Sequence, residues 1–164
     1  VTALTRSRNT PSRLPGLWYG PVEALAAGFA GGICAYNAAG NIVNGQTALN
    51  LKPAGRINVD FSNAVNDYLP YGQIGLGPTM GAAGAFNVPF EPGIFGLSNS
   101  AAGADFVTRA LLGDPVYMVD DNTVAANPNV LGAGANVRSV MGTLIDIDAA
   151  GVCWVHVGLI PTAY

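Results

Sequence analysis

Two short turn signals constrain the folding of this chain more than any other feature. Asn37-Ala38-Ala39-Gly40 and Asp148-Ala149-Ala150-Gly151 each stand between short apolar runs. Asn or Asp opens such a turn by accepting backbone N–H groups just ahead of it, and Gly closes it in the left-handed conformation. Each signal therefore predicts an antiparallel hairpin, one over 31–43 and one over 142–159. The second can be threaded residue by residue. Opposing Asp148 to Val152 pairs Ile147 with Cys153, Asp146 with Trp154, Ile145 with Val155 and Leu144 with His156. One face is then Ile145, Ile147, Cys153, Val155 and Val157, wholly apolar. The other carries Asp146, Asp148, Trp154 and His156 beside Leu144. The period-2 alternation holds on both strands at one register. The opposite facing would bury Asp146 without a partner, which is costly.

The rest of the chain uses the same vocabulary. Val116–Val119 and Thr123–Ala125 form a third hairpin through Asp120-Asp121-Asn122. Residues 104–113 read as one short helix, started by Asp105, ended by Gly113 and stopped by Pro115. Residues 60–100 are rich in Gly, Pro, Asn and aromatics and read as short strands and long loops. Residues 1–21 hold Arg6, Arg8 and Arg13 with Pro11, Pro15 and Pro21, and have no periodicity. Proline favours extended backbone there. The expected architecture is all-β: a small barrel or sandwich of short antiparallel strands. An extended arm, 1–21, precedes a single β-rich domain, 22–164.

Composition narrows the function classes. The 164 residues amount to one domain. Seven basic residues in all cannot make the cationic face that coating a nucleic acid requires. The longest apolar run, Ala24–Tyr36, spans thirteen residues. A membrane-spanning helix needs about 18–20, so no membrane partner is expected, and the run lacks the basic flank of a signal peptide. Cys34 and Cys153 sit in strand-like runs and read as buried free thiols rather than a disulfide scaffold. Charged residues make up 10% of the chain against about 25% in ordinary domains. A surface so poor in charge suits a subunit that buries large areas against neighbours.

No catalytic constellation emerges. Asp146 and Asp148 share one strand face and Asp120-Asp121 a turn, but the spacing of a calcium loop is missing, so no metal is expected. His156 is the only histidine. Cys153 points to the opposite face of its strand, and no nucleophile elbow is present. The glycine pairs at 28–31 and 81–84 lack the lysine and the βαβ frame of a phosphate loop. The chain therefore reads as a non-enzyme without a cofactor.

Five blocks of residues carry a resemblance. They are Leu4-Thr5-Arg6-x-Arg8-Asn9-Thr10-Pro11-x-Arg13, Ala35-x-Asn37-Ala38-Ala39-Gly40 with Leu51-x-x-Ala54-Gly55-Arg56, Gly96-Leu97-Ser98-Asn99-Ser100, Gly113-x-x-Val116-Tyr117-x-Val119-Asp120-Asp121-x-Thr123-Val124-Ala125, and Gly142-x-x-x-Asp146-x-Asp148-x-x-Gly151-Val152-x-Trp154-Val155. In this order they resemble the capsid cement, or head decoration, proteins of tailed bacteriophages. The match runs from residue 4 to about 157 and is patchy over 57–95. Where relatives place basic residues before a Gly-x-Phe strand, this chain has Glu91-Pro92-Gly93. The resemblance implies an all-β virion protein that binds the outside of the head shell and stabilises it, with no catalysis and no cofactor. Its partners would be the major capsid protein and further copies of itself. Cement proteins often sit on local three-fold axes, so a homotrimer is expected. The arm would be the anchor, through Thr5, Arg6, Arg8, Asn9, Thr10, Pro11, Arg13, Trp18 and Tyr19. A tail or fibre component binding a host receptor or glycan is the competing expectation, because exposed Trp, Tyr and Asn would serve it as well.

Overall fold

Both turn signals form hairpins. In a computed structural model that describes residues 16–64, 81–101, 103–129 and 136–158, β3 (Ile33–Tyr36) pairs with β4 (Ile42–Asn44), and β11 (Val140–Ile147) with β12 (Cys153–Val157). The two turns are built alike. Asn37 Oδ1 accepts the N–H groups of Ala39 and Asn41, and Asp148 Oδ1 those of Ala150 and Val152. Gly40 and Gly151 close them at φ 82° and 83°, where an L side chain is disfavoured. The third hairpin joins β9 (Pro115–Met118) to β10 (Thr123–Ala125).

The remaining strands are β1 (Trp18–Pro21), β2 (Ala27–Gly28), β5 (Lys52–Ile57), β6 (Phe61–Ser62), β7 (Asn87–Glu91) and β8 (Gly93–Asn99). The fold is all-β. A closed barrel runs β10-β8-β12-β11-β9, with β8 and β10 as its one parallel pair. A second sheet runs β1-β7-β5-β3-β4. It curls until Val22, just after β1, bridges Ile42 of β4. β2 and β6 form a small ribbon.

Each sheet encloses its own core. Leu97, Val116, Met118, Val124, Met141, Leu144, Cys153, Val155 and Val157 fill the barrel side. Val22, Ile42, Ala54, Ile57, Phe61, Val88 and Phe90 fill the curled sheet. β3 serves both: Ile33 and Ala35 belong to the first core and Cys34 to the second. Alternation along one short strand thus feeds two interiors, which explains why Ile-Cys-Ala reads as a continuous apolar run.

Three expectations change. The helix over 104–113 is instead two separate 3₁₀ turns, Gly103–Asp105 and Arg109–Leu111. Between them Val107 is clamped: its N–H donates to Asn99 Oδ1 and its C=O accepts from Asn99 Nδ2. Both backbone groups that a helix would need are thereby engaged. Trp18–Pro21, expected as the end of an extended arm, instead form β1 against β7, with Trp18 opposite Phe90 and Tyr19 opposite Pro89. The C-terminal hairpin keeps the expected register only up to Asp146 opposite Trp154. A bulge then follows, and Leu144, not Ile145, opposes Val155, while Thr143 opposes His156. Leu144 is fully buried, Ile145 is 47% exposed and Ile147 is partly buried. Closing a narrow barrel demands strong local twist, which a bulge supplies, and Leu144 rather than its neighbour fills the core.

The bulge gives opposite expectations for two adjacent residues. Leu144→Ala should cost about 2–5 kcal/mol, whereas Ile145→Ala should stay within about 0.5 kcal/mol. Urea unfolding of both variants measures this. Equal losses, or a larger loss at Ile145, would restore the unbulged register.

Candidate functional site

Of the expected anchor residues, Thr5, Arg6, Arg8, Asn9, Thr10, Pro11 and Arg13 lie outside the described residues. Trp18 and Tyr19 do not act as one unit. Trp18 packs against the curled-sheet core, while Tyr19, one residue on and facing the other way, is 62% exposed beside exposed Leu17. β1 is the edge strand of its sheet, so the chain enters the fold there with Leu17 and Tyr19 at the surface.

The arginines of the described residues are all engaged internally. Arg56 pairs with Glu91 and lies over the Phe95 ring, 5.2 Å from its centroid. The Glu91-Pro92-Gly93 corner thus holds its acidic charge against β5. Arg109 pairs with Asp146 at 2.9 Å and donates to Ile147 O at 2.6 Å. Arg138 is buried, and both its terminal nitrogens reach the Asp105 carboxylate at 3.0 Å. Its Nη1 also donates to the carbonyls of Asn127 and Asn129. Asp105, expected as a helix cap, is instead one half of this buried pair. Only Lys52, at the exposed start of β5, is a cation with no ion pair among the described residues.

The acidic residues act locally. Glu23 accepts from Ala24 N, Asn37 Nδ2 and Asn41 Nδ2. These bonds, the backbone one first, hold its carboxyl below the usual range. Asp148 is held low in the same way by the turn it caps, chiefly through Val152 N–H. Asp120 Oδ1 accepts Asn122 N–H, shaping the β9–β10 turn. Asp121 is pushed up, first by partial burial and then by Asp120 beside it. Among the described residues no three His, Cys, Asp or Glu side chains converge as metal ligands would, and no helix is long and apolar enough to cross a membrane. Both thiols are buried and unpaired, and burial pushes the Cys34 thiol up to about 12. His156 and Cys153 lie on opposite sides of β12, the thiol inside and the imidazole toward the outer face.

The hairpin register places Asp146, Asp148 and Trp154 on one face, and the structure adds Gly96, Ile94 and Ile145 to it. On the outer face of the barrel, Trp154 stands between Asp146 on β11 and Gly96 on β8, its cross-strand partners. The indole lies across Gly96: two of its ring carbons are 3.7 Å from where a Cβ there would sit. Its Nε1 donates to Asp148 Oδ2 at 3.3 Å. Ile94 and the bulged Ile145 are exposed alongside. The bulge that turns Ile145 outward depends on barrel closure, and no local signal marks it.

Comparison with protein-family models, with curated proteins and with solved structures found no match to this chain.

Two predictions follow from the charges. Arg138→Ala leaves Asp105 buried without its partner and should cost about 3–5 kcal/mol. Replacing both residues together, Arg138→Met with Asp105→Leu, should recover much of that loss in a denaturant series. Asp121→Asn should raise Tm at neutral pH. The folded protein holds this carboxyl above its unfolded value, so ionisation costs stability as pH rises through that window. At about pH 3, below the ordinary aspartate value, the Tm gain should vanish. A gain of equal size at both pH values would point to another cause.

Proposed function

We propose that this chain is a virion structural protein that binds the outer surface of a tailed-phage head shell and stabilises it, acting as a homotrimer with the major capsid protein as partner. The resemblance of its motifs to the cement proteins motivates this reading, and the described geometry is consistent with it. The most specific motif, Val116–Ala125, forms the β9–β10 hairpin, whose turn meets the curled sheet. Asp121 O accepts Ile33 N–H, and Asp120 bridges Gln46. These residues therefore specify architecture, as expected of a motif shared through a fold.

The observation that carries the reading is the division of cations. Arg56, Arg109 and Arg138 are committed to internal carboxylates. The three other arginines of the chain, Arg6, Arg8 and Arg13, all precede the edge strand β1. With the exposed Lys52 they are the cations this reading assigns to contact with a shell, and planar guanidinium groups suit bidentate bonds to capsid carboxylates. Leu17 and Tyr19 are exposed where the described residues begin.

Because β1 begins at Trp18, the informative truncation removes residues 1–15 and leaves the sheet intact. The truncated protein should keep its Tm and lose co-sedimentation with undecorated heads. Undiminished binding by a folded truncation would contradict an N-terminal anchor and move the contact to the body.

A further inference from the structure

The outer barrel face around Trp154 has the composition of a small-ligand platform. The ring is held by its Nε1 bond to Asp148 and by the approach of two of its carbons to Gly96, yet Trp154 remains 40% exposed. Ile94, two residues from Gly96 on β8, is 51% exposed, and the bulge presents Ile145 beside Asp146. Planar polar groups border this patch: Asp146 lies directly across from Trp154 and is paired with Arg109, which is itself exposed. At about 250 Å² for a whole large residue as an upper value, the three apolar groups expose at most roughly 350 Å² together. A stable protein interface takes about 800 Å² from each partner. The patch is thus too small and too interrupted by polar groups to hold a second copy by itself.

The geometry points to a binding site for a neutral saccharide on this face, a function beyond shell binding. A pyranose ring presents weakly positive C–H groups on its flat side, and these stack on the negative face of an indole. Its hydroxyls can donate to the Asp146 carboxylate and accept from the Arg109 guanidinium, two planar groups already paired with each other at the edge of the patch. Ile94 and Ile145 would flank the stacked ring and accept an N-acetyl methyl. Asp146 and Asp148 beside the indole, on a chain of net charge −3, disfavour acidic sugars.

The test uses the free full-length chain, so its outcome does not depend on shell binding. Chitotetraose and cellotetraose are titrated while the Trp154 indole N–H and the Gly96 amide are followed by NMR. Saturable shifts at both by about 10 mM, with the Trp18 indole unmoved, are expected from at least one of the two sugars. Trp154→Phe should retain binding, and Trp154→Ala should weaken it tenfold or more as followed at Gly96. Oligogalacturonate, the acidic control, should cause no shift. Absence of shifts with both neutral sugars would overturn the proposal. So would sugar binding that survives Trp154→Ala.

Discussion

β3 is the strand on which the structure depends. Ile33 and Ala35 close the barrel core on one side, and Cys34 closes the curled-sheet core on the other. Its backbone is fully engaged as well. It pairs with β4 and β5, and Ile33 N–H donates to Asp121 O of the β9–β10 turn at 2.7 Å. A polar side chain at any of these three positions would lie in an apolar interior without a partner. Two small cores that share a wall bury more apolar surface than either sheet could alone, which matters for a chain with so few charges and no disulfide among its described residues.

The junction between the two sheets is reinforced by polar contacts over long sequence separations. Ser139 Oγ donates to Ala48 O and accepts Leu51 N–H, and Thr47 Oγ1 donates to Val119 O. Next to Ser139 in the chain, Arg138 gathers Asp105, Asn127 and Asn129. In the curled sheet, Asn63 takes the same role: its Nδ2 donates to the carbonyls of Glu23 and Ala82, and its Oδ1 accepts Gly81 N–H. Ser139, Arg138 and Asn63 are buried polar side chains, and with the exposed Thr47 their hydrogen bonds fix loop backbone in place of regular secondary structure.

What was legible in the sequence was local. The Asn37 and Asp148 turns bond within four residues, so their chemistry can be read from the sequence, and the hairpins follow. The all-β class follows from them. What was not legible depends on partners far along the chain. Asn99 clamps Val107 from a neighbouring strand and prevents the expected helix. Barrel closure imposes the bulge that exchanges Leu144 for Ile145. Asp105 meets Arg138 thirty-three residues away, a pairing that no spacing rule anticipates. The edge strand at Trp18 was masked by the prolines around it, since Pro21 reads as a breaker until β7 is known to lie alongside. Of the candidate anchor, the sequence reading grouped Trp18 with Tyr19, but adjacent residues of a strand face opposite ways, and only Tyr19 is left at the surface.

A low-charge, two-cored β-body with three arginines ahead of its edge strand in the sequence suits a protein that coats a surface, and the central claim is that the surface is a phage head. Electron microscopy of intact virions, with this chain labelled by a specific antibody fragment, tests that claim most directly. The account predicts label at regular positions over the whole head, three copies to each local three-fold axis. Label confined to the tail or its fibres would contradict it.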